Sequence, residues 1–72
     1  NNKAKESYLQ AIKFDPKAVD AYYNLAVVYW KEENWSKVVE LLEKVLEINP
    51  QHQQAVKYLQ QAKLRLTEKK GS

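Results

Sequence analysis

The chain has 72 residues, with one Gly, two Pro and no Cys, and its formal net charge is +3. A chain of this length holds one small helical unit and buries only about 60% of its unfolded surface. The lack of cysteine excludes disulfides and thiolate metal sites and favours a reducing, cytoplasmic compartment. No apolar run approaches the roughly 20 residues that span a bilayer, so no membrane segment is predicted.

The charge is divided unevenly along the chain. Residues 1–18 sum to +2, residues 19–50 to −3 and residues 51–72 to +4. Most of these charges are expected on solvated helix surfaces. The division also favours either head-to-tail contact between copies or an acidic ligand, and the two alternatives stay open at this point.

A first helix is predicted over residues 2–14. Its apolar residues recur at i, i+4, i+7 and i+8, which gives one stripe. This stripe comprises Ala4, Tyr8, Ala11 and Ile12. Asp15 ends the helix because the residue before Pro16 is pushed out of the helical region.

A second helix is predicted over about 19–32, and it is apolar on two faces. The first stripe comprises Tyr22, Leu25, Ala26 and Tyr29, and the second comprises Tyr23, Val27 and Trp30. A single core cannot bury both of these faces. We expect the first stripe to pack on neighbouring helices and the second to line a surface with a function.

Two further helices are predicted, over 35–48 and 53–68. Asn34 precedes the third helix and either adopts a left-handed conformation or caps that helix. The short connection makes the second and third helices antiparallel. The fourth helix has one apolar stripe, as in the capping helix of a helical repeat array. Its stripe comprises Ala55, Leu59, Ala62 and Leu66.

The chain is also periodic, because Asp15-Pro16 and Asn49-Pro50 lie 34 residues apart. With the residues of the second helix, this period resembles the tetratricopeptide repeat, a 34-residue helix-turn-helix family. Counted from Val19, the family's aromatic, leucine, small and tyrosine positions are filled in this order: Tyr22, Leu25, Ala26 and Tyr29. The stretch departs from the family at Val38 and Val45, where alanine is preferred, and at Glu33, where glycine is preferred. The two valines are expected to spread the helix pair.

The resemblance implies an all-α fold, built from antiparallel helix-turn-helix repeats of an α-solenoid. Residues 1–18 are then the second helix of a truncated repeat, 19–52 a complete repeat and 53–70 a C-terminal capping helix. Residues 71–72 are expected to be a flexible tail or a remnant of cloning. Gln60 and Lys63 replace the small and aromatic residues of the family, as in a polar closing helix.

Members of the family bind peptides or helices in a concave groove, so the resemblance implies that this chain binds a segment of another protein. Carried over position by position, the second helix contributes Asp20, Tyr23, Asn24, Val27, Trp30 and Lys31. The last helix contributes Gln54, Lys57, Tyr58, Gln61, Leu64 and Arg65. The family's carboxylate clamp needs a lysine and an asparagine where Tyr23 and Val27 stand, so that ligand type is not implied. A simpler alternative is that Tyr23 and Trp30 only pack between helices.

The sequence favours no catalytic, metal or cofactor site. His52 is the single histidine and is interpreted as a solvated loop residue. Glu43 and Glu47 lie together on a charged outer face without a pocket. A metal site needs more ligands of matched type. Nucleic-acid binding by the basic carboxy end is not favoured, because the middle of the chain is acidic.

A structural function is the second hypothesis. Tyr8, Leu9 and Ile12 have no preceding helix to cover them, and exposure of each side chain forfeits roughly 1.5 to 3 kcal/mol. The chain would then form a homo-oligomer through its first helix or its last one.

Overall fold

The four predicted helices are present in the computed structural model, which describes residues 2–71 and the side chains of residues 3–68. Their bounds are α1 Asn2–Phe14, α2 Val19–Lys31, α3 Trp35–Ile48 and α4 Gln53–Gly71. Each helix packs against the next one in the chain, and together they form a slab of 39 × 29 × 14 Å. The all-α prediction is confirmed.

Two helix ends differ from the prediction. Helix α2 ends at Lys31, one residue early, and Glu32 is its C-cap. Helix α4 continues to Gly71, beyond the predicted end at about residue 68. Lys69 and Lys70 are good helix formers and no proline follows Pro50, so nothing in the sequence stops the helix earlier. Ser72 lies outside the described residues.

The 34-residue period recurs in the chemistry of the turns. After α1, the Asp15 Oδ1 atom accepts a hydrogen bond from the Lys17 amide at 3.1 Å. After α3, the Asn49 Oδ1 atom accepts one from the Gln51 amide at 3.2 Å. In both turns a side chain before a proline replaces a backbone acceptor, so α2 and α4 begin from equivalent turns.

The turn between α2 and α3 is a Schellman motif with an unusual residue. The Asn34 amide donates to the Tyr29 carbonyl and the Glu33 amide donates to the Trp30 carbonyl, both at 3.0 Å. Glu33 has φ 58°, the left-handed conformation in which glycine is favoured. Asn34 has φ −89°, and its side chain accepts from the Lys37 amide. Asn34 is therefore the cap of α3, and its alternative as the left-handed residue is wrong.

The core lies mainly between α2, α3 and α4. Its buried residues are Tyr22, Ala26, Trp35, Val38, Leu42, Val45, Ala55, Leu59 and Ala62. Ala21 and Leu25 are equally buried but lie outside this cluster. Helix α1 also packs against α2. Helix α2 is thus the element on which both sides of the fold are built.

No helix among residues 2–71 combines the length and the apolar character that crossing a membrane requires.

Candidate functional site

An open apolar cavity lies where the second stripe of α2 faces α4. Its volume is about 210 Å³. The lining comprises Tyr23, Ala26, Val27, Trp30, Val38, Leu42 and Tyr58. Helices α2 and α4 therefore supply the walls, and two core residues of α3 supply the floor. All three members of the second stripe of α2 line this cavity.

Aromatic rings make a continuous wall along the cavity. The Tyr58 ring lies 6.5 Å from Tyr23 and 5.5 Å from Trp30, as measured between ring centroids. Trp30 also meets Trp35 edge-on at 4.9 Å, and Trp35 is buried in the core. Edge-to-face contacts of this kind add roughly 0.5 to 1.5 kcal/mol beyond burial. The wall is therefore held in place by the core beneath it.

Tyr23 and Trp30 combine the two roles that the sequence left as alternatives. Both side chains are half-buried and pack against the core cluster, and both also face the cavity. Burial raises the pKa of the Tyr23 hydroxyl above its ordinary value of 10.0, and the neighbouring Tyr58 raises it further. The Tyr23 hydroxyl can donate or accept a hydrogen bond at the cavity.

His52 lies in the loop before α4, as predicted, but the prediction that its side chain is solvated is wrong. The side chain is half-buried, and its Nδ1 atom accepts a hydrogen bond from the Ala55 amide at 3.1 Å. Its ring centroid lies 5.1 Å from that of Tyr23. His52 caps α4 and extends the aromatic wall at one end. Its place directly before a predicted helix was the available signal, because that is the capping position.

The other residues predicted for the groove lie on the same two helices, α2 and α4. On α2, Asp20, Asn24 and Lys31 are exposed. On α4, Gln54, Lys57, Leu64 and Arg65 are exposed, while Gln61 is half-buried. The Arg65 guanidinium carbon lies 5.6 Å from the centre of the Trp35 ring, a cation–π contact. None of these residues is in the cavity lining, and the role of each in binding remains a prediction.

A second, shallower depression of about 360 Å³ lies at the turn between α2 and α3. Its lining comprises Glu32, Glu33, Asn34, Trp35, Ser36 and Leu66. Most of these residues are polar, because they include two glutamates and the helix-capping Asn34. The Glu32 carboxylate already accepts a hydrogen bond from Lys5 at 2.7 Å. The depression lacks the apolar walls of the cavity between α2 and α4, which is the better candidate site.

The residues predicted for self-association are less exposed than expected. Ile12 is half-buried and packs against the core, and Tyr8 is also half-buried. The reason is that α2 packs against one side of α1. Leu9 remains 51% exposed, and Phe14, which the sequence reasoning missed, is 95% exposed.

Two protein-family models match this chain, and both describe the same type of repeat. A family model described as TPR repeat matches residues 1–32, and one described as tetratricopeptide repeat matches residues 19–52. These repeats are non-catalytic helical scaffolds that generally mediate protein–protein interaction. The matched residues include the whole of α2, which supplies one wall of the cavity.

Protein O-mannosyl-transferase TMTC3 from Homo sapiens is similar to this chain, with 41% identity over 56 residues. The match covers 75% of this chain but 6% of that protein. Such a small share transfers no activity from the relative to this chain. What the two proteins share is a short segment, and both family models identify its type in this chain. The chain belongs to the tetratricopeptide repeat family.

Proposed function

We propose that the chain binds a segment of another protein in the cavity between α2 and α4. The observation that carries this proposal is an open apolar cavity with rigid aromatic walls. Tyr23, Trp30 and Tyr58 offer large contact areas with few rotatable bonds, so little entropy is lost when a ligand covers them. Such residues supply most of the binding energy in protein interfaces.

The size of the cavity favours a side chain over a small molecule. Its volume of about 210 Å³ lies below the roughly 300 to 1,000 Å³ of small-molecule sites. Its floor, Val38 and Leu42, is fully packed in the core, so the cavity exists before a ligand arrives. One anchoring side chain of a partner therefore fits, with the rest of the segment outside the cavity.

A pair of valines provides a sharp test. Val27 lines the cavity and is 39% exposed, whereas Val56 is 37% exposed and lies outside the cavity lining. Peptides selected from a random display library are titrated by calorimetry against Val27→Trp and against the control Val56→Trp. We expect Val27→Trp to fill the cavity and weaken binding at least tenfold, and Val56→Trp to preserve it. Equal binding to the two variants would contradict the proposal.

Self-association is a second candidate function, and the exposure of Leu9 and Phe14 favours it. A phenylalanine that is 95% exposed gains roughly 1.5 to 3 kcal/mol if a second copy buries it. Sedimentation velocity from micromolar to millimolar concentration measures the oligomeric state. We expect an oligomer that Phe14→Glu dissociates. A monomer at every concentration would overturn this candidate and leave the peptide-binding proposal intact.

A further inference from the structure

We infer that His52 is an acid-sensitive cap of α4: the neutral imidazole holds the first turn of the helix, and uptake of a proton releases it. The inference concerns the fold and does not depend on the proposed function. It is carried by the hydrogen bond that the ring accepts, by the place of this bond at a helix start, and by the contrast with α2, which begins from an equivalent turn.

His52 makes both of the contacts that define a helix cap. Its carbonyl accepts the first helical hydrogen bond of α4 from the Val56 amide at 3.1 Å. Its Nδ1 atom accepts a second one from the Ala55 amide, also at 3.1 Å, and the side chain is half-buried. An imidazole nitrogen accepts a hydrogen bond only while it carries no proton. The capping ring is therefore the neutral tautomer with its proton on Nε2.

Protonation of His52 removes this acceptor and adds a charge at an unfavourable place. Both nitrogens of an imidazolium ion are donors, so Nδ1 would then present an N–H group to the N–H group of Ala55. The ion would also lie at the amino end of a 19-residue helix, where unpaired amides carry partial positive charge. The two effects act in the same direction, and both favour the neutral ring in the folded chain.

The sign of the pH dependence follows from this preference. The unfolded chain has no cap to lose and takes up the proton more readily than the folded chain. The free energy of unfolding should therefore rise with pH over the range in which histidine titrates, between about pH 5 and 8. The contribution of the cap is present at the upper end of this range and is lost at the lower end.

The groups around His52 leave this preference in place. Tyr23 of α2 is in ring contact with it, with the centroids 5.1 Å apart and Tyr58 beyond. This ring contact is open to both protonation states, whereas the cap is open only to the neutral one. The charged residues closest to the turn along the neighbouring helices are Asp20 of α2, Glu47 of α3 and Lys57 of α4. Among the side chains of residues 3–68, no ion pair includes His52, and Glu47 pairs with Lys44.

Helix α2 shows what the start of α4 becomes without the cap. Its cap residue, Ala18, lies 34 residues before His52 and offers no side-chain acceptor. The Ala21 amide is equivalent to the Ala55 amide, and it donates to the Ala18 carbonyl at 3.0 Å. In acid, α4 should begin in the same way, with the Ala55 amide on the backbone. Because the released ring extends the aromatic wall of the cavity, one end of that wall changes with it.

An NMR titration of the ¹⁵N-labelled native chain from pH 8 to pH 5 tests the inference. His52 is the single histidine of the chain, so its ring signals are unambiguous. We expect the Nε2–H tautomer at pH 8 and an Ala55 amide shift that follows the protonation of the ring. Protection of this amide from exchange, corrected for the intrinsic effect of pH, should fall about fivefold. An Nδ1–H tautomer, or an Ala55 shift that does not follow the ring, would overturn the inference.

Three variants separate the cap from other effects of acid. His52→Asn keeps a capping acceptor that does not titrate, and His52→Ala removes the acceptor. His52→Asn with Gln51→His keeps one histidine, at the exposed neighbouring residue. Thermal unfolding should show that the native chain loses about 5 °C between pH 8 and pH 5. His52→Ala should have the lower midpoint at both pH values, and the two chains with His52→Asn should not respond.

Two results of this comparison would overturn the inference. An equal loss in the native chain and in His52→Asn would show that the response comes from groups other than the ring. A native chain that is more stable at pH 5 than at pH 8, relative to His52→Asn, would show that Asp20 or Tyr23 attracts the ion more strongly than the cap excludes it. Repetition with Asp20→Asn then identifies which of these two groups is responsible.

Discussion

Helices α1 and α3 occupy equivalent places in the 34-residue period, yet their burial differs sharply. Val38 and Val45 of α3 are fully buried, whereas Ala4 and Ala11, 34 residues earlier, are half-buried and exposed. Ile48 packs against the core, while its counterpart Phe14 is 95% exposed. Helix α3 packs against both α2 and α4, whereas the main contacts of α1 within residues 2–71 are with α2. The burial of a repeat position therefore depends on its neighbours as much as on its residue type.

The same comparison explains why the cavity lies on one side of the molecule. The pair α2 and α4 has α3 beneath it, and Val38 and Leu42 of α3 close the cavity floor. Helix α1 offers an exposed surface without such walls. A peptide gains apolar contact on several sides in the cavity, whereas the α1 surface buries area on only one side.

The largest expected effect comes from truncation of equivalent residues on the two helices. Leu42→Ala should lower the free energy of unfolding by about 2 to 5 kcal/mol, because the side chain is fully buried. Tyr8→Ala, at the equivalent position of α1, should cost about 1 kcal/mol, since its side chain is half-buried. Urea denaturation followed by circular dichroism measures both. Equal losses of stability in the two variants would contradict the difference in burial between α1 and α3.

A smaller difference is expected where the two helices end. Ile48→Ala should lower the free energy of unfolding by about 1 to 2 kcal/mol, because Ile48 packs against the core. Phe14→Ala should change it by less than about 0.5 kcal/mol, because Phe14 has almost no contact to lose. The same denaturation experiment applies. A loss at Phe14 as large as that at Ile48 would show that Phe14 is covered in solution.

The left-handed residue of the central hairpin gives a stabilising prediction. The left-handed conformation costs a non-glycine residue roughly 1 to 2 kcal/mol, and glycine avoids this cost. Part of the benefit is lost because glycine has more backbone entropy to lose on folding. Glu33→Gly should therefore raise the free energy of unfolding by about 0.5 to 1 kcal/mol. Thermal unfolding measures this gain in stability. The control is Glu40→Gly, an exposed position inside α3, where glycine should lower the stability. A lower melting temperature for Glu33→Gly would contradict the φ of 58°.

The smallest effect is the pH dependence of the contact that joins α1 to the end of α2. The Lys5 ammonium donates a hydrogen bond to Glu32 at 2.7 Å, which lowers the pKa of Glu32 below its ordinary value of 4.5. A lowered folded-state pKa stabilises the fold above 4.5, and this contribution is lost as the pH falls through the lowered value.

Denaturation of the native chain and of Glu32→Gln at neutral and acidic pH measures this contribution. The difference in stability between the two chains should be present at neutral pH and should shrink as the pH falls through the lowered pKa of Glu32. Because Glu32 is exposed, salt should reduce the difference as well. A difference that is independent of pH would show that Lys5 does not bind Glu32 in solution.

Much of the fold was predictable because its signals are local. Prolines fix where α1 and α3 end, and the apolar period fixes which faces of α2 are buried. Two features depend on tertiary neighbours and were missed: the cover that α2 gives to Ile12, and the contact of His52 with Tyr23. The left-handed Glu33 is a local feature, but the sequence analysis weighed that conformation for Asn34 instead. Periodicity shows that a face is apolar, but it does not show which helix covers it.

The candidate site was predictable only in part, for the same reason. The second stripe of α2 was recognised because a single core cannot bury two apolar faces of one helix. The floor was missed because Val38 and Leu42 read as ordinary core residues, and the sequence does not show that a gap remains above them. The predicted spreading of the helix pair by Val38 and Val45 stays a prediction, which Val38→Ala and Val45→Ala would test through changes in the cavity volume.

Whether a peptide binds in the cavity is measured most directly by an NMR titration of the ¹⁵N-labelled chain with a peptide selected from the display library. We expect the largest shift changes at the Val27 and Tyr58 amides and at the Trp30 indole, since these residues line the cavity. We also expect the signals of α1, including Leu9 and Phe14, to stay unchanged. Shift changes concentrated on α1, with Val27 and Trp30 unaffected, would contradict binding in the cavity.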